Sequence, residues 1–225
     1  MKKTVKNILE KLEQMCSYAE LSMENWAELE QLASNDNSEI RMRVAEALGC
    51  HHCKESEKRL MLMLRDADVL VRAEACDSLS FSVNEDIIET LLDIYINDSE
   101  EMVRGYAVLA IGDIYQNIDK QINNELKEAL FKHLEPGNDW LIIAVLRTLI
   151  LNGHKKYIDD LTKKLESSNY VDRIFAVSSF ADLLPIMNSE EIEKLKRKLS
   201  ETSNNEKTRS VLSAVQDLIM LIEQK

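Results

Sequence analysis

The chain has 225 residues, of which 40 are Asp or Glu and 28 are Lys or Arg, and its formal net charge at pH 7 is −12. Only 5 Gly and 2 Pro interrupt it, too few for the frequent turns of an all-β sandwich or barrel. Because 45% of the residues are hydrophobic, the composition also excludes a disordered acidic chain. We therefore expect an acidic, helix-rich globular protein.

The first segment, roughly residues 3–19, begins with lysines as a secretory signal peptide does, but Glu10, Lys11 and Glu13 interrupt its apolar residues. Its pattern is instead that of an amphipathic helix. No apolar run in the sequence approaches the ~18–20 residues that a membrane span requires. We expect a cytoplasmic protein with no membrane attachment, whose four cysteines are reduced thiols.

After this helix, one motif recurs six times along the chain. Each copy opens with a short polar turn and continues with apolar residues at helical spacing. We predict that side chains such as Asp68 and Asp98 cap the helices that follow them. The copies lie 31 to 38 residues apart when they are aligned on Arg41, Arg72, Arg104, Ile142, Arg173 and Arg209.

A second amphipathic stretch precedes each copy, as in residues 84–97, so that every repeat reads as a helix, a tight turn and a second helix. One such hairpin cannot bury its own apolar face, and successive hairpins must therefore stack. The longest spacing, around Tyr115–Ile122, predicts either a bend in the stack or a longer link.

An Asp a few residues before an apolar–Arg pair, followed by R-x-x-A-x-x-[AS]-[LI], resembles HEAT repeats. The short bacterial variety, seen also in phycobilisome-lyase-like proteins, is the most similar, and the resemblance extends over residues 23–222. It implies an all-α, right-handed solenoid, a superhelix of about six HEAT-like hairpins in a single domain, 1–225. The expected parts are a capping helix at 1–20 and repeats at about 23–49, 56–81, 84–114, 119–151, 154–184 and 188–223.

In HEAT-like solenoids the second helices line the concave face, so the resemblance implies where a binding groove would lie. Positions two, five and nine after the aligned residue fall off the apolar stripe, and they run from acidic to aromatic along the chain. For Glu74 and Asp77, ordinary solvated positions are an equal alternative, and for Phe175 a core position is favoured. The predicted partner-binding residues are Arg43, Glu46, Glu74, Asp77, Tyr106, Asp113, Trp140, Arg147, Phe175 and Asp182.

The charge is uneven along the chain. Residues 1–112 carry 22 acidic and 12 basic side chains, whereas residues 113–225 carry 18 and 16. This balance disfavours nucleic acid, whose phosphates bind clustered Lys and Arg, and favours a basic protein. The sequence thus predicts a non-catalytic protein–protein interaction module, either an adaptor or an immunity or inhibitor protein. It leaves the oligomeric state open. The apolar run at 218–222 could support self-association, but coverage of the run by the preceding helix is the favoured alternative.

Reactive residue types do not assemble into a recognisable catalytic motif. Cys50-His51-His52-Cys53 could supply half of a zinc site, but no second C-x-x-C pair occurs, so we expect a structural role and neither metal nor cofactor. The HEAT resemblance implies two enzymatic alternatives. One is an alkylpurine DNA glycosylase, with Asp139, Trp140 and Arg147 in its cleft; the other is a phycobilin lyase.

Overall fold

A computed structural model describes the backbone of residues 2–224 and the side chains of residues 5–224. These residues form thirteen α-helices and three short 3-10 segments (155–157, 164–166 and 184–186), with no strand in this part of the chain. The helices are α1 (Lys2–Cys16), α2 (Met23–Leu32), α3 (Ser38–Gly49), α4 (Lys54–Met63), α5 (Val69–Leu79), α6 (Ile87–Asn97), α7 (Glu101–Asn117), α8 (Asn124–Lys132), α9 (Asp139–Leu151), α10 (Ile158–Lys163), α11 (Tyr170–Leu183), α12 (Ser189–Asn205) and α13 (Arg209–Glu223).

The chain divides into two compact units, residues 1–119 and 120–225. The boundary falls in the long link that follows α7. In the first unit, α1 packs on α3, α3 on α5, and α5 on α7. In the second unit, α9 packs on α11 and α11 on α13. Within each unit the helical hairpins stack as they do in an α-solenoid, and the predicted all-α fold class is confirmed for the described residues.

Small residues bring the helices of the first unit close together. A Cβ atom on Gly49 would lie 2.5 Å from Ser78 Oγ and 2.7 Å from Ser78 Cβ, so only glycine fits where α3 crosses α5. The Ser78 hydroxyl donates a hydrogen bond to the Ala45 carbonyl at 3.1 Å. This bond satisfies a buried polar group between the two helices.

Ion pairs join three of the hairpins to the turn of the next one. Arg41 donates two hydrogen bonds of 2.7 Å to Asp66, and Arg72 donates to Asp98 at 2.8 and 3.0 Å. In the second unit Arg173 donates to Glu206 at 2.7 and 3.1 Å. The third nitrogen of each guanidinium reaches a carbonyl of its own turn. We refer to these three pairs as the arginine ladder.

The ladder explains one wrong prediction about helix caps. Asp68 caps α5 as predicted, accepting a hydrogen bond from the Leu70 amide at 2.9 Å. Asp98, however, lies at the C-terminal end of α6, and Glu100 occupies the N-cap position of α7. The Asp98 carboxylate accepts from the Glu100 amide and pairs with Arg72, so its geometry serves the ladder.

The core of the second unit contains Phe180 and Leu183 of α11, together with Val215 of α13. At the end of the chain, Leu218 and Ile222 are buried, whereas Met220 and Leu221 are about half exposed. The apolar run at 218–222 is therefore covered on one side only. In the described part of the chain, no helix is long and apolar enough to cross a membrane.

Candidate functional site

Five of the predicted binding residues come together on the first unit. Arg43 and Glu46 lie on α3, Glu74 and Asp77 on α5, and Tyr106 on α7, and we refer to these five as the acidic face. Arg43 Nη1 donates to Glu46 Oε2 at 2.5 Å, and both side chains are nearly half exposed. Asp77 is exposed, whereas Glu74 and Tyr106 are half-buried. The face thus holds three carboxylates and a single guanidinium.

The surroundings of Glu74 on this face disfavour its ionised form. Burial raises the pKa of Glu74, and repulsion by Asp77 and Glu46 raises it further. The Ser78 hydroxyl, 3.4 Å away, and the charge of Arg43 lower it, but the pKa remains at about 7. Arg43 cannot neutralise Glu74 fully, because its hydrogen bond goes to Glu46. A positive charge placed against this face would favour the ionised form of Glu74.

The tyrosine of the face shares the same environment. Burial, and then the charges of Asp77 and Glu74, raise the pKa of Tyr106, so its phenol is neutral at physiological pH. Asp113 lies seven residues further along α7, which places it two turns away on the same side of the helix. Its side chain is half-buried. It extends the acidic character along α7.

The remaining predicted residues make contacts within the second unit. The rings of Trp140 and Phe175 stack with their centroids 4.0 Å apart and an interplanar angle of 30°, and Phe175 packs against the core. Arg147 is buried and its Nε donates to Asp182 at 2.8 Å. These four side chains link α9 to α11. The ring stack and the ion pair are contacts within the second unit, so each of the four residues has a structural role.

The glycosylase alternative assigns a role to Asp139, which already has a cationic partner. Lys164 Nζ lies 2.6 Å from Asp139 Oδ1. Burial raises the pKa of Asp139, but hydrogen bonds with Lys164 and Ser167 outweigh that effect and hold the pKa below its usual value. The carboxylate is thus ionised and engaged in an intramolecular ion pair. All three residues assigned to the glycosylase cleft thus make contacts within the second unit. Asp139 and Arg147 each form an ion pair, and Trp140 forms a ring stack.

The cysteine–histidine string lies where α3 ends and α4 begins. His51 is buried, and its Nε2 lies 2.9 Å from the Met15 carbonyl oxygen. The His52 ring packs against Phe81, and Cys53 Sγ lies 3.4 Å from the Ser56 hydroxyl. Within residues 5–224, His, Cys, Asp and Glu side chains form no group of three or more that could hold a metal ion.

Two features were missed by the analysis of the sequence. The first is the arginine ladder, since the recurring arginines served there only to align the repeats. An acidic residue recurring 25 or 26 positions after Arg41 and Arg72 was the available signal. The second is the contact between Cys16 and Cys50. No local spacing indicates it, because the two residues belong to different helical segments.

Part of the chain matches a known protein family. Residues 26–112 match the model of the family described as HEAT repeats. This segment runs from α2 to α7, and it includes all five residues of the acidic face. No curated protein matches the chain.

Proposed function

Because residues 26–112 match the family model for HEAT repeats, we propose that the chain is a non-catalytic interaction module whose acidic face binds a basic protein. HEAT repeats are generally scaffolds for protein–protein interaction. The proposal assigns the binding surface to α3, α5 and α7. Trp140, Phe175, Arg147 and Asp182 are secondary candidates, since their contacts stabilise the second unit.

The observation that carries the proposal is the environment of Glu74. This half-buried carboxylate lies among Glu46 and Asp77, and the Ser78 hydroxyl and the charge of Arg43 offset only part of the effect of burial and repulsion on its pKa. A lysine or arginine side chain from a partner would relieve the repulsion and form charge-assisted hydrogen bonds with the carboxylates. Tyr106 beside them offers an aromatic surface on which the aliphatic part of such a side chain can pack.

The charge of the first unit supports the same partner at longer range. Residues 1–112 carry 22 acidic and 12 basic side chains, and the field of such an excess steers a basic protein towards the surface and raises its association rate. Two biological forms fit this surface. One is an adaptor in a larger complex, and the other is an inhibitor or immunity protein that masks the basic surface of a toxin or nuclease.

We place the module in the cytoplasm as part of this proposal. The four cysteines are free thiols, as is usual for proteins kept in a reducing compartment. Within the first unit, two of the thiols are exposed to solvent at Cys50 and Cys53. Oxidising conditions outside the cell would not preserve such groups for long.

The test is capture of the partner from a lysate of the source cells at low salt, followed by native mass spectrometry of the purified complex. Three versions of the chain are compared. They are the wild type, the double variant Glu74→Lys/Asp77→Lys, and the control Glu125→Lys/Glu128→Lys. The control makes the same change in net charge at two exposed positions of α8, a helix of the second unit that contributes no residue to the acidic face.

We expect a stoichiometric complex between the wild type and a basic protein. The control should retain this partner, and the Glu74→Lys/Asp77→Lys variant should lose it. Loss of the partner by both double variants would show that net charge alone governs the capture. A wild-type chain that elutes bare, or a partner kept by all three versions, would overturn the proposal.

A further inference from the structure

The end of α1 and the end of α3 lie side by side. α1 ends at Cys16, and Cys50 is the residue that caps the C-terminus of α3. Next to them, buried His51 contacts the Met15 carbonyl oxygen through Nε2 at 2.9 Å. This contact fixes the two chain segments against each other at the positions adjoining both cysteines. The packing of α1 against α3 also holds these two helix ends together.

The two thiols interact directly across this junction. Cys50 Sγ donates a hydrogen bond to the Glu46 carbonyl at 3.4 Å, and the Cys50 side chain lies close enough to Cys16 to raise the pKa of the Cys16 thiol. Their exposure differs, because Cys50 is exposed and Cys16 is only partly so. A small oxidant in solution therefore meets Cys50 first, with Cys16 in place behind it.

We propose that Cys50 and Cys16 form a reversible oxidation site that responds to peroxide and joins α1 to α3 through a disulfide. Transient disulfides of this kind occur in proteins of reducing compartments. The site is independent of the proposed binding of a basic protein. It requires only the thiol contact and access of peroxide to Cys50.

The reaction needs one molecule of hydrogen peroxide and proceeds in two steps. The Cys50 thiolate attacks one peroxide oxygen, the O–O bond breaks, and the departing hydroxide takes up a proton to form water, leaving a sulfenic acid on Cys50. The Cys16 sulfur then attacks the Cys50 sulfur and the S–O bond breaks. The leaving hydroxide takes the Cys16 proton and forms a second water. Two thiols are oxidised to a disulfide, and the peroxide is reduced to two waters.

The roles of the two thiols follow from their surroundings. Burial, followed by the interaction with the Cys50 side chain, raises the pKa of Cys16 to about 12. Cys16 is therefore protonated at neutral pH and is a poor target for peroxide. The exposed Cys50 is thus the thiol that peroxide oxidises first, and Cys16 is the thiol that closes the disulfide.

The two other cysteines provide matched controls. Cys53 is exposed and lies three residues after Cys50, so it is the competing local partner. Cys76 is buried within α5, and burial raises its pKa far above the usual value. The proposal therefore predicts that peroxide leaves Cys76 unchanged.

The test treats the full chain with one equivalent of hydrogen peroxide, blocks the remaining thiols with an alkylating agent, and maps disulfides by mass spectrometry of the digest. We expect a peptide pair linked through Cys16 and Cys50 that a dithiol reductant separates. The link closes a loop of about 35 residues, so the melting temperature should rise by roughly 5 °C on oxidation and fall again on reduction.

Two variants separate this site from other thiol chemistry. Cys53→Ser should retain both the linked peptide and the thermal shift. Cys16→Ser should lose the shift and accumulate a sulfenic acid on Cys50, which dimedone traps. The proposal is overturned if the wild type forms mainly a Cys50–Cys53 link or a disulfide between two chains. It is equally overturned if Cys16 of the oxidised wild type remains fully open to alkylation.

Discussion

At the scale of single residues, the arginine ladder shows how one side chain serves two repeats. Arg72 pairs with Asp98 of the next hairpin and donates to the Asp66 carbonyl at 2.9 Å in its own turn. Both side chains of the pair are largely shielded from water, at 13% and 7% exposure. Removing one member leaves the other charged and poorly solvated, which costs more than the loss of an exposed pair.

We therefore predict that Arg72→Ala lowers the free energy of unfolding by about 3 kcal/mol. Urea denaturation followed by circular dichroism measures the change. The matched control is Arg65→Ala, which removes the same kind of side chain from an exposed position just before the same turn, and should change stability by less than about 0.5 kcal/mol. Equal losses of unfolding free energy in the two variants would show that the Arg72–Asp98 pair adds no more stability than an exposed arginine does.

Glu74 gives a prediction about pH. Its pKa in the folded protein is about 7, above the usual value of 4.5, so the folded state holds this proton more tightly than the unfolded state. Ionisation of Glu74 therefore costs stability, and the cost develops as the pH rises from about 4.5 to about 7. Glu74→Gln should leave stability little changed at pH 4.5 and increase it at pH 8. Because the side chain is partly solvated, we expect an increase on the order of 1 kcal/mol.

Chemical denaturation of the wild type and Glu74→Gln at pH 4.5 and pH 8 measures this difference. Asp217→Asn, at an exposed position of α13, is the control for a general effect of removing one negative charge. We expect only Glu74→Gln to be stabilised relative to the wild type by more at pH 8 than at pH 4.5. A gain of the same size at both pH values would contradict the raised pKa.

At the scale of helices, the crossing of α3 and α5 depends on Gly49. A methyl group there would overlap Ser78, whose Cα atom lies only 3.2 Å from the added Cβ. Since the clash involves the start of the side chain and the backbone, rotation of Ser78 cannot remove it. The helices have to move apart or tilt.

Gly49→Ala should consequently destabilise the first unit by about 1–3 kcal/mol, the usual effect of overpacking a core, even though alanine favours a helix more than glycine does. Adding Ser78→Gly removes the clashing side chain, and the double variant should recover part of the loss. A double-mutant cycle from thermal or urea unfolding measures the coupling. Strictly additive effects would mean that the two residues are not in the contact described here.

Sequence analysis predicted the helices better than their contacts. Apolar residues at helical spacing predicted α4 to α9. Asp68 was identified as a cap because its role is local. Asp98 was misassigned since its role depends on Arg72, 26 residues earlier. Likewise the first helix of the fifth hairpin is divided between α10 and two 3-10 segments, a detail that packing determines and a helical pattern does not encode.

The candidate site was predictable in part for the same reason. Arg43, Glu74 and Tyr106 lie two residues after their aligned arginines, and Glu46 and Asp77 lie five residues after theirs. Helical geometry alone therefore brought them to one face. The Trp140–Phe175 stack and the Arg147–Asp182 pair each join residues 35 apart. Such contacts depend on how hairpins stack, and the sequence offered only the residue types.

At the scale of the whole molecule, the net charge of −12 sets the response to salt. Repulsion among exposed carboxylates destabilises the folded state and is screened by added ions, whereas the partly buried ladder pairs are screened much less. We expect the melting temperature to rise by a few degrees between 20 and 300 mM sodium chloride. Differential scanning calorimetry checks this, and choline chloride serves as a control for specific cation binding. A fall in melting temperature with either salt would mean that surface ion pairs outweigh repulsion.

The central claim is that the acidic face of α3, α5 and α7 binds a basic protein. Hydrogen exchange of the purified complex, compared with the free chain, tests it most directly because exchange locates the contact along the backbone. The account predicts slower exchange in peptides from residues 38–49, 69–79 and 101–117 when the partner is bound, and loss of this protection in Glu74→Lys/Asp77→Lys. Protection confined to residues 120–224, or unchanged in that variant, would contradict it.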